Sequence, residues 1–197
     1  MVQRLVAVLL LAAASSARAA ALPSFEQSLN AFQTELRQGA PKRAAARAQS
    51  DLDWMGWDAD RLRDSAAQMR RLVDEIRRRA QNSGNNPNLR NEVAQVSWRL
   101  RDFRWAVEEL ERREARFRDA AKKDPALVAA AERLKSNLIW LSSETRWLES
   151  DGRWAAWDLR RVGLAFEAWE FEDQTRNSNE AAARCERVAA EIADRVR

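Results

Sequence analysis

Residues 127–169, "LVAAAERLKSNLIWLSSETRWLESDGRWAAWDLRRVGLAFEAW", decide the fold. From Leu127 the seam runs through Ala131, Leu134, Leu138, Leu141, Thr145, Leu148, Gly152, Ala155, Leu159, Val162 and Phe166 to Trp169, in alternating steps of four and three. That rhythm puts every member on one side of a helix, where they form a stripe that demands a partner. The same rhythm fills two earlier segments, from Ala48 to Ala80 and from Leu89 to Ala121, and a shorter one at Phe25, Leu29, Phe32 and Leu36. No segment sustains strand alternation. The sequence predicts an all-α protein: an elongated antiparallel bundle of three long heptad-patterned helices at about 41–81, 87–122 and 125–173, with short flanking helices at 24–38 and 178–197. Helices of about 40 residues would make a rod roughly 60 Å long.

The boundaries come from sparse breakers, five Gly and four Pro in 197 residues. They cluster at "QGAPK" (38–42), "QNSGNNPN" (81–88) and "KKDPA" (122–126), with a polar stretch at "QTRNSNE" (174–180). Ser24 with Gln27 and Asn177 with Glu180 read as capping boxes, while Asn86-Pro87 and Asp124-Pro125 place a cap before a first-turn proline. Gly152 falls inside the third seam, where it either costs about 1 kcal/mol or admits a neighbouring backbone. A break at Asp151-Gly152, giving a shorter four-helix bundle, is the alternative.

"DLDWMGWDADR" (51–61) and "DGRWAAWDLRR" (151–161) share one pattern, Asp-x-x-Trp-x-x-Trp-Asp-x-x-Arg. The repeated positions are Asp51, Trp54, Trp57, Asp58 and Arg61, then Asp151, Trp154, Trp157, Asp158 and Arg161. Of the nine Trp, only Trp169 lies in a seam, and the other eight form a second stripe on the far side of each helix. Counting along hairpins brings Trp98, Trp105, Trp140, Trp147 and Trp154 to one mid-length band. One Trp can bury on the order of 200 Å², and the largest apolar patch of a soluble monomer is roughly 300–600 Å². A cover is therefore expected, either the terminal helices or a protein surface. Asp58–Arg61 and Asp158–Arg161 read as ion pairs one turn apart, with the Arg side chains over indole faces.

The first 21 residues read as a Sec-type signal peptide. Arg4 precedes the apolar run "LVAVLLLAAA" (5–14), and small residues follow at 17–21. The run is too short to span a bilayer, and no Cys follows to carry a lipid anchor. Cleavage after Ala19 or Ala21 leaves about 176–178 residues, one domain's worth, destined for the periplasm or the exterior. The lone Cys185 cannot form an internal disulfide, and its spacing with Ala181, Val188 and Ile192 suits a core position. Of 34 basic residues, Arg4 and Arg18 leave with the signal, so 32 stand against 30 acids. Those charges alternate along helices without forming a basic stripe, so nucleic acid is not an expected partner.

There is no His and no Tyr, which removes the usual general base and the commonest metal ligand. A single Cys and the lack of a glycine-rich loop argue against thiolate zinc and phosphate cradles. Only carboxylates such as Glu144, Glu149 and Asp151 remain for catalysis, in the manner of a glycosidase. The expectation is a non-enzymatic exported scaffold or assembly protein without cofactor or metal, acting through a protein partner or self-association. The alternative is a bundle whose Trp98, Trp105, Trp140, Trp147 and Trp154 line a groove for an apolar or glycan ligand. Membrane-surface binding ranks below both, because acids interrupt the Trp face.

Overall fold

A computed structural model describes the backbone of residues 25–83 and 87–197, and side chains at 44–82 and 88–197. The expected signal peptide, the Ser24–Gln27 box, the Asn86 cap and the side chains of the Phe25–Leu36 stripe lie outside the described residues. The chain divides into two units at Arg43/Ala44, and the bundle below is built from 44–197.

All the described elements are helical: α1 (Phe25–Ser83), α2 (Pro87–Ala120), a 3-10 turn (Pro125–Leu127), α3 (Val128–Arg161) and α4 (Ala165–Val196). Four helices replace the expected three long and two short ones, and two of the boundaries moved. "QGAPK" does not end a helix, because α1 continues through Pro41 into an Ala-rich segment of high helix propensity. The third helix ends at Arg161, short of 173 and past Asp151-Gly152. Gly163 supplies the stop with φ 82°, a left-handed turn that costs glycine little. Its N–H donates to the Arg160 carbonyl at 3.2 Å, and the Leu164 N–H donates to the Leu159 carbonyl at 3.0 Å. Leu164 and Leu159 are both buried, which completes a Schellman stop.

Residues 174–180, expected to break the chain, lie inside α4. Two of their hydroxyls bond back within the helix: Thr175 Oγ1 donates to the Phe171 carbonyl at 2.9 Å and Ser178 Oγ to the Gln174 carbonyl at 2.8 Å. Asp124 caps as expected, accepting from the Ala126 N–H at 3.0 Å ahead of Pro125. Its own N–H donates to the Val196 carbonyl at 2.9 Å, tying the linker to the end of α4.

Cross-helix ion pairs fix the arrangement. Asp58–Arg113 (2.9 Å) and Arg79–Glu92 (2.5 Å) join α1 to α2 in antiparallel register. Asp53–Arg133, Arg70–Asp151 and Arg77–Asp158, pairs 80 or 81 residues apart, hold α1 parallel to α3. Arg101–Glu170, Glu111–Arg184 and Arg118–Glu191 hold α2 parallel to α4. Asn179 donates to Glu149 and Arg160 pairs with Glu172, closing α3 on α4 antiparallel. No such bond among the described residues joins α2 to α3 or α1 to α4. The helices therefore occupy a square in the order α1, α2, α4, α3, and the linker at 121–124 crosses a diagonal. At 1.5 Å per residue, α3 is about 50 Å long.

The core follows the seams. Leu52, Leu62 and Val73 of α1, Leu100 and Val107 of α2, and Leu134, Leu141 and Leu148 of α3 meet Phe171, Ala182 and Ile192 of α4. Cys185 sits among them with a buried thiol, as its spacing suggested. Gly152 is a close-approach site, since a Cβ there would lie 2.7 Å from Thr175 Cγ2 and 2.9 Å from Thr175 Cβ.

Candidate interaction surface

All nine indoles lie outside this core, each between 51% and 63% exposed. For Trp169 this corrects the seam assignment. The stop at Gly163 resets the helical phase, so Phe166 and Trp169 turn outward while Leu164, Ala168 and Phe171 turn inward. The C-terminal helix is likewise no cover for the Trp stripes. Ala181, Cys185, Val188 and Ile192 are spent on the core itself, as the fourth corner of the square.

Nor do the five band residues form one cluster. Trp98 and Trp105 stand on α2, diagonally across from Trp140, Trp147 and Trp154 on α3. The level counting assumed that consecutive helices are neighbours, and the diagonal linker breaks that assumption. Two shallow surface hollows involve none of the five. One runs along α1 beside Ser50, Asp53, Trp54 and Trp57, and the other lies between α1 and α2 around Leu72, Ile76 and Val96.

On α3, Trp140, Trp147 and Trp154 fall seven residues apart and so share one line, spaced about 10 Å. That line flanks the groove to α1. Arg70 of α1 reaches across it with Nε 3.0 Å from Asp151 and Nη1 3.0 Å from Glu144, and its guanidinium carbon lies 5.8 Å from the Trp147 ring centre. Burial opposes the Arg70 charge, but hydrogen bonds to Asp151 and Glu144 outweigh it and hold the guanidinium above its ordinary pKa. One turn pair further, Arg77 meets the buried Asp158 at 3.2 Å and stacks 5.7 Å from the Trp154 ring. Gln81 adds a 2.8 Å bond to the same carboxylate. Each cation is thus fixed by a carboxylate and in turn restrains an indole, a pre-organised pairing of aromatic face and charge.

The two copies of the repeated motif share some of these roles. Arg61 lies over Trp57 at 5.3 Å and Arg161 over Trp157 at 4.8 Å, as the spacing suggested. Asp58 makes the expected pair with Arg61 at 3.6 Å and a tighter one with Arg113 of α2. Asp158 does not pair with Arg161, because it is turned into the α1 groove towards Arg77 and Gln81. Asp151 holds Arg70, whereas Asp51 is exposed. In both copies, therefore, the Asp before the motif's Arg docks on an Arg of a neighbouring helix, and the Trp pair faces out.

The carboxylates considered for catalysis hold structural bonds. Glu144 and Asp151 clamp Arg70, and Glu149 accepts from Arg153 and from Asn179. Among the described residues no cluster of three or more Cys, Asp or Glu is placed to hold a metal ion, and no helix is long and apolar enough to cross a membrane. The sequence reading missed Arg70, Arg77 and Arg101, the last stacked 4.6 Å from the Trp98 ring. Seven-residue spacing between Arg70 and Arg77 was the available signal, since it matches the spacing of Trp147 and Trp154. The chain matches no protein-family model, no curated protein and no solved structure.

Proposed function

We propose that this chain is an exported, non-enzymatic assembly protein that works through protein–protein contacts made by the Trp–Arg lines on the outside of its bundle. The observation that carries this reading is that nine indoles remain half exposed around a core that is already filled. At about 200 Å² per Trp, half exposure leaves on the order of 900 Å² of indole surface in water, distributed in lines along the helices. Trp and Arg are also the residues most enriched where interfaces concentrate their energy. A groove for an apolar or glycan ligand is the second reading, favoured by restrained rings beside carboxylates and guanidinium groups. It is the weaker one, because the five rings do not converge on a hollow.

The test replaces Trp140, Trp147 and Trp154 by Ala in the native host and follows the chain by sedimentation of a gentle extract. The expected outcome is an assembly larger than the monomer in the wild type and its loss in the variant, with urea stability of the purified bundle shifted by no more than about 0.5 kcal/mol per site. A wild-type chain that sediments as a monomer in the extract would overturn the reading.

A further inference from the structure

We infer that the face shared by α1 and α3 is the contact surface for a second copy of the chain, paired about a twofold axis at the level of Trp147. This inference rests on the assembly reading above and names its partner.

A twofold axis lying in a face packs α3 against α3 of the second copy and α1 against α1, both antiparallel. Residues equally far above and below the axis then meet. On α3 the centre at Trp147 pairs Trp147 with itself and Trp140 with Trp154 of the second copy, because the line is evenly spaced. On the adjoining line of α3 the same centre, within half a residue, sets Ser143 opposite Ser150. It also sets Ser136, a small exposed side chain, opposite the bulky Trp157.

α1 supplies an independent check, because its register against α3 is fixed by two bracketing contacts. Asn137 donates to both Gly56 and Asp60, and Asp158 accepts from both Arg77 and Gln81. Each bracket spans separations of 81 and 77 residues, so level positions differ by their mean, 79. The level of Trp147 on α1 is therefore Gln68. On α1 the line beside α3 is Asp53, Asp60, Ala67 and Asp74, and the outermost line next to it is Trp57, Asp64, Arg71 and Arg78, these last four all exposed. About the midpoint of Ala67 and Gln68, half a residue from that level, Asp64 meets Arg71 of the second copy, and Trp57 meets Arg78. An opposite-charge pair and a cation–aromatic pair thus form twice each, from the centre that the α3 tryptophans set. Arg71 has no ion-pair partner among the described residues, and Asp64 has only Arg63 at 3.4 Å, so both are free to make this contact. Of the like-charged meetings, Asp60 with Asp74 and Glu144 with Asp151 are neutralised within each copy by Arg63, Arg78 and Arg70, and Arg133 with Arg161 falls at the ends of the face. There water screens it, Arg133 is already neutralised by Asp53, and Arg161 lies over Trp157.

The area is adequate. Five half-exposed indoles at about 200 Å² each bring on the order of 500 Å² per copy, and the serines and charged side chains between them extend the face. A specific contact must clear about 500 Å² per partner.

The test uses the purified chain from Leu22 onwards, alone, in sedimentation equilibrium at roughly 50 µM, enough to populate a micromolar dimer. A dimer is expected. Asp64→Arg and Arg71→Asp should each weaken it about tenfold or more by setting like charges opposite one another, and the double variant should restore it. Trp147→Glu should weaken it by about thirtyfold or more. Trp147→Cys in a Cys185→Ser background should crosslink to itself under mild oxidation, whereas Trp98→Cys, on the far corner, should not. A purified chain that is monomeric would overturn the self-pairing and leave the general reading to the extract experiment. A dimer indifferent to Trp147→Glu, or charge reversals that fail to rescue each other, would overturn this face and axis while leaving assembly intact.

Discussion

Replacing Glu114 by Gln probes the least comfortable residue in the bundle. Glu114 occupies a core position of α2 with none of its surface exposed, and neither carboxyl oxygen has a hydrogen-bond partner among the described residues. Its polar neighbour is the Cys185 thiol, which directs its own proton to the Val107 carbonyl at 3.6 Å. Burial therefore dominates and, with a smaller push from the Glu111 charge, lifts the acid from 4.5 to about 9 against a lowering by the thiol. Between those values the folded chain keeps a proton that the unfolded chain releases. Stability from this site is complete below pH 4.5 and is lost as the pH rises towards 9, at about 1.4 kcal/mol per pH unit. From pH 5 to pH 8 the loss is about 4 kcal/mol, a large share of the 5–15 kcal/mol of an ordinary domain. Every other ionisable group is common to wild type and variant. The difference between the two isolates Glu114. Urea unfolding of both proteins at pH 5, 6.5 and 8 should show Glu114→Gln gaining on the wild type by about 4 kcal/mol across that interval. A difference independent of pH would refute the buried, protonated acid.

Two further perturbations test the packing. Gly152→Ala should destabilise the bundle by about 1–3 kcal/mol, because the added methyl meets the Thr175 side chain and overpacking outweighs the gain in helix propensity; thermal unfolding beside Gly56→Ala, whose Cβ would have its nearest neighbour at 3.7 Å, provides the control. Cys185 should resist thiol reagents in the native state and react at once in urea, because burial and the neighbouring Glu114 push its thiol pKa far up; rapid native labelling would contradict its place in the core.

What was legible in the sequence was periodicity within each helix. The seams from Leu52 to Ala80, from Leu89 to Leu110 and from Leu127 to Leu159 are the core, and the outward positions of eight tryptophans follow from them. A period reports which residues share a side, however, and does not report where a helix stops when two seams happen to join in phase. The third seam ran unbroken across Gly163 only because Phe166 and Trp169 sit seven and ten residues beyond Leu159. The turn was written in the local chemistry of "RRVGL", two cations, a glycine and a leucine, which is a helix stop irrespective of the pattern around it. The polar run at 174–180 misled in the opposite sense. Its Thr, Ser and Asn side chains looked like loop material but bond back to their own helix or across to α3.

The candidate surface was legible to the same degree and failed for the same reason. Outward direction is a property of one helix, and Trp140, Trp147 and Trp154 could be placed on one line from spacing alone. Adjacency between helices depends on the order of corners, which the short linker at 121–124 sets by crossing the diagonal. Once α3 lies beside α1 and not α2, the residues that matter next to the Trp line become Arg70, Arg77 and the line from Trp57 to Arg78. The repeated motif then has a physical reading. Asp58 and Asp158 each lock their helix to an Arg of the neighbour, which leaves the two tryptophans one and four residues earlier facing out at fixed height. A chain that bonds its acids inward and leaves its indoles in water at regular intervals has organised its outer surface as carefully as its core, and that is the pattern expected where the surface is itself to be packed.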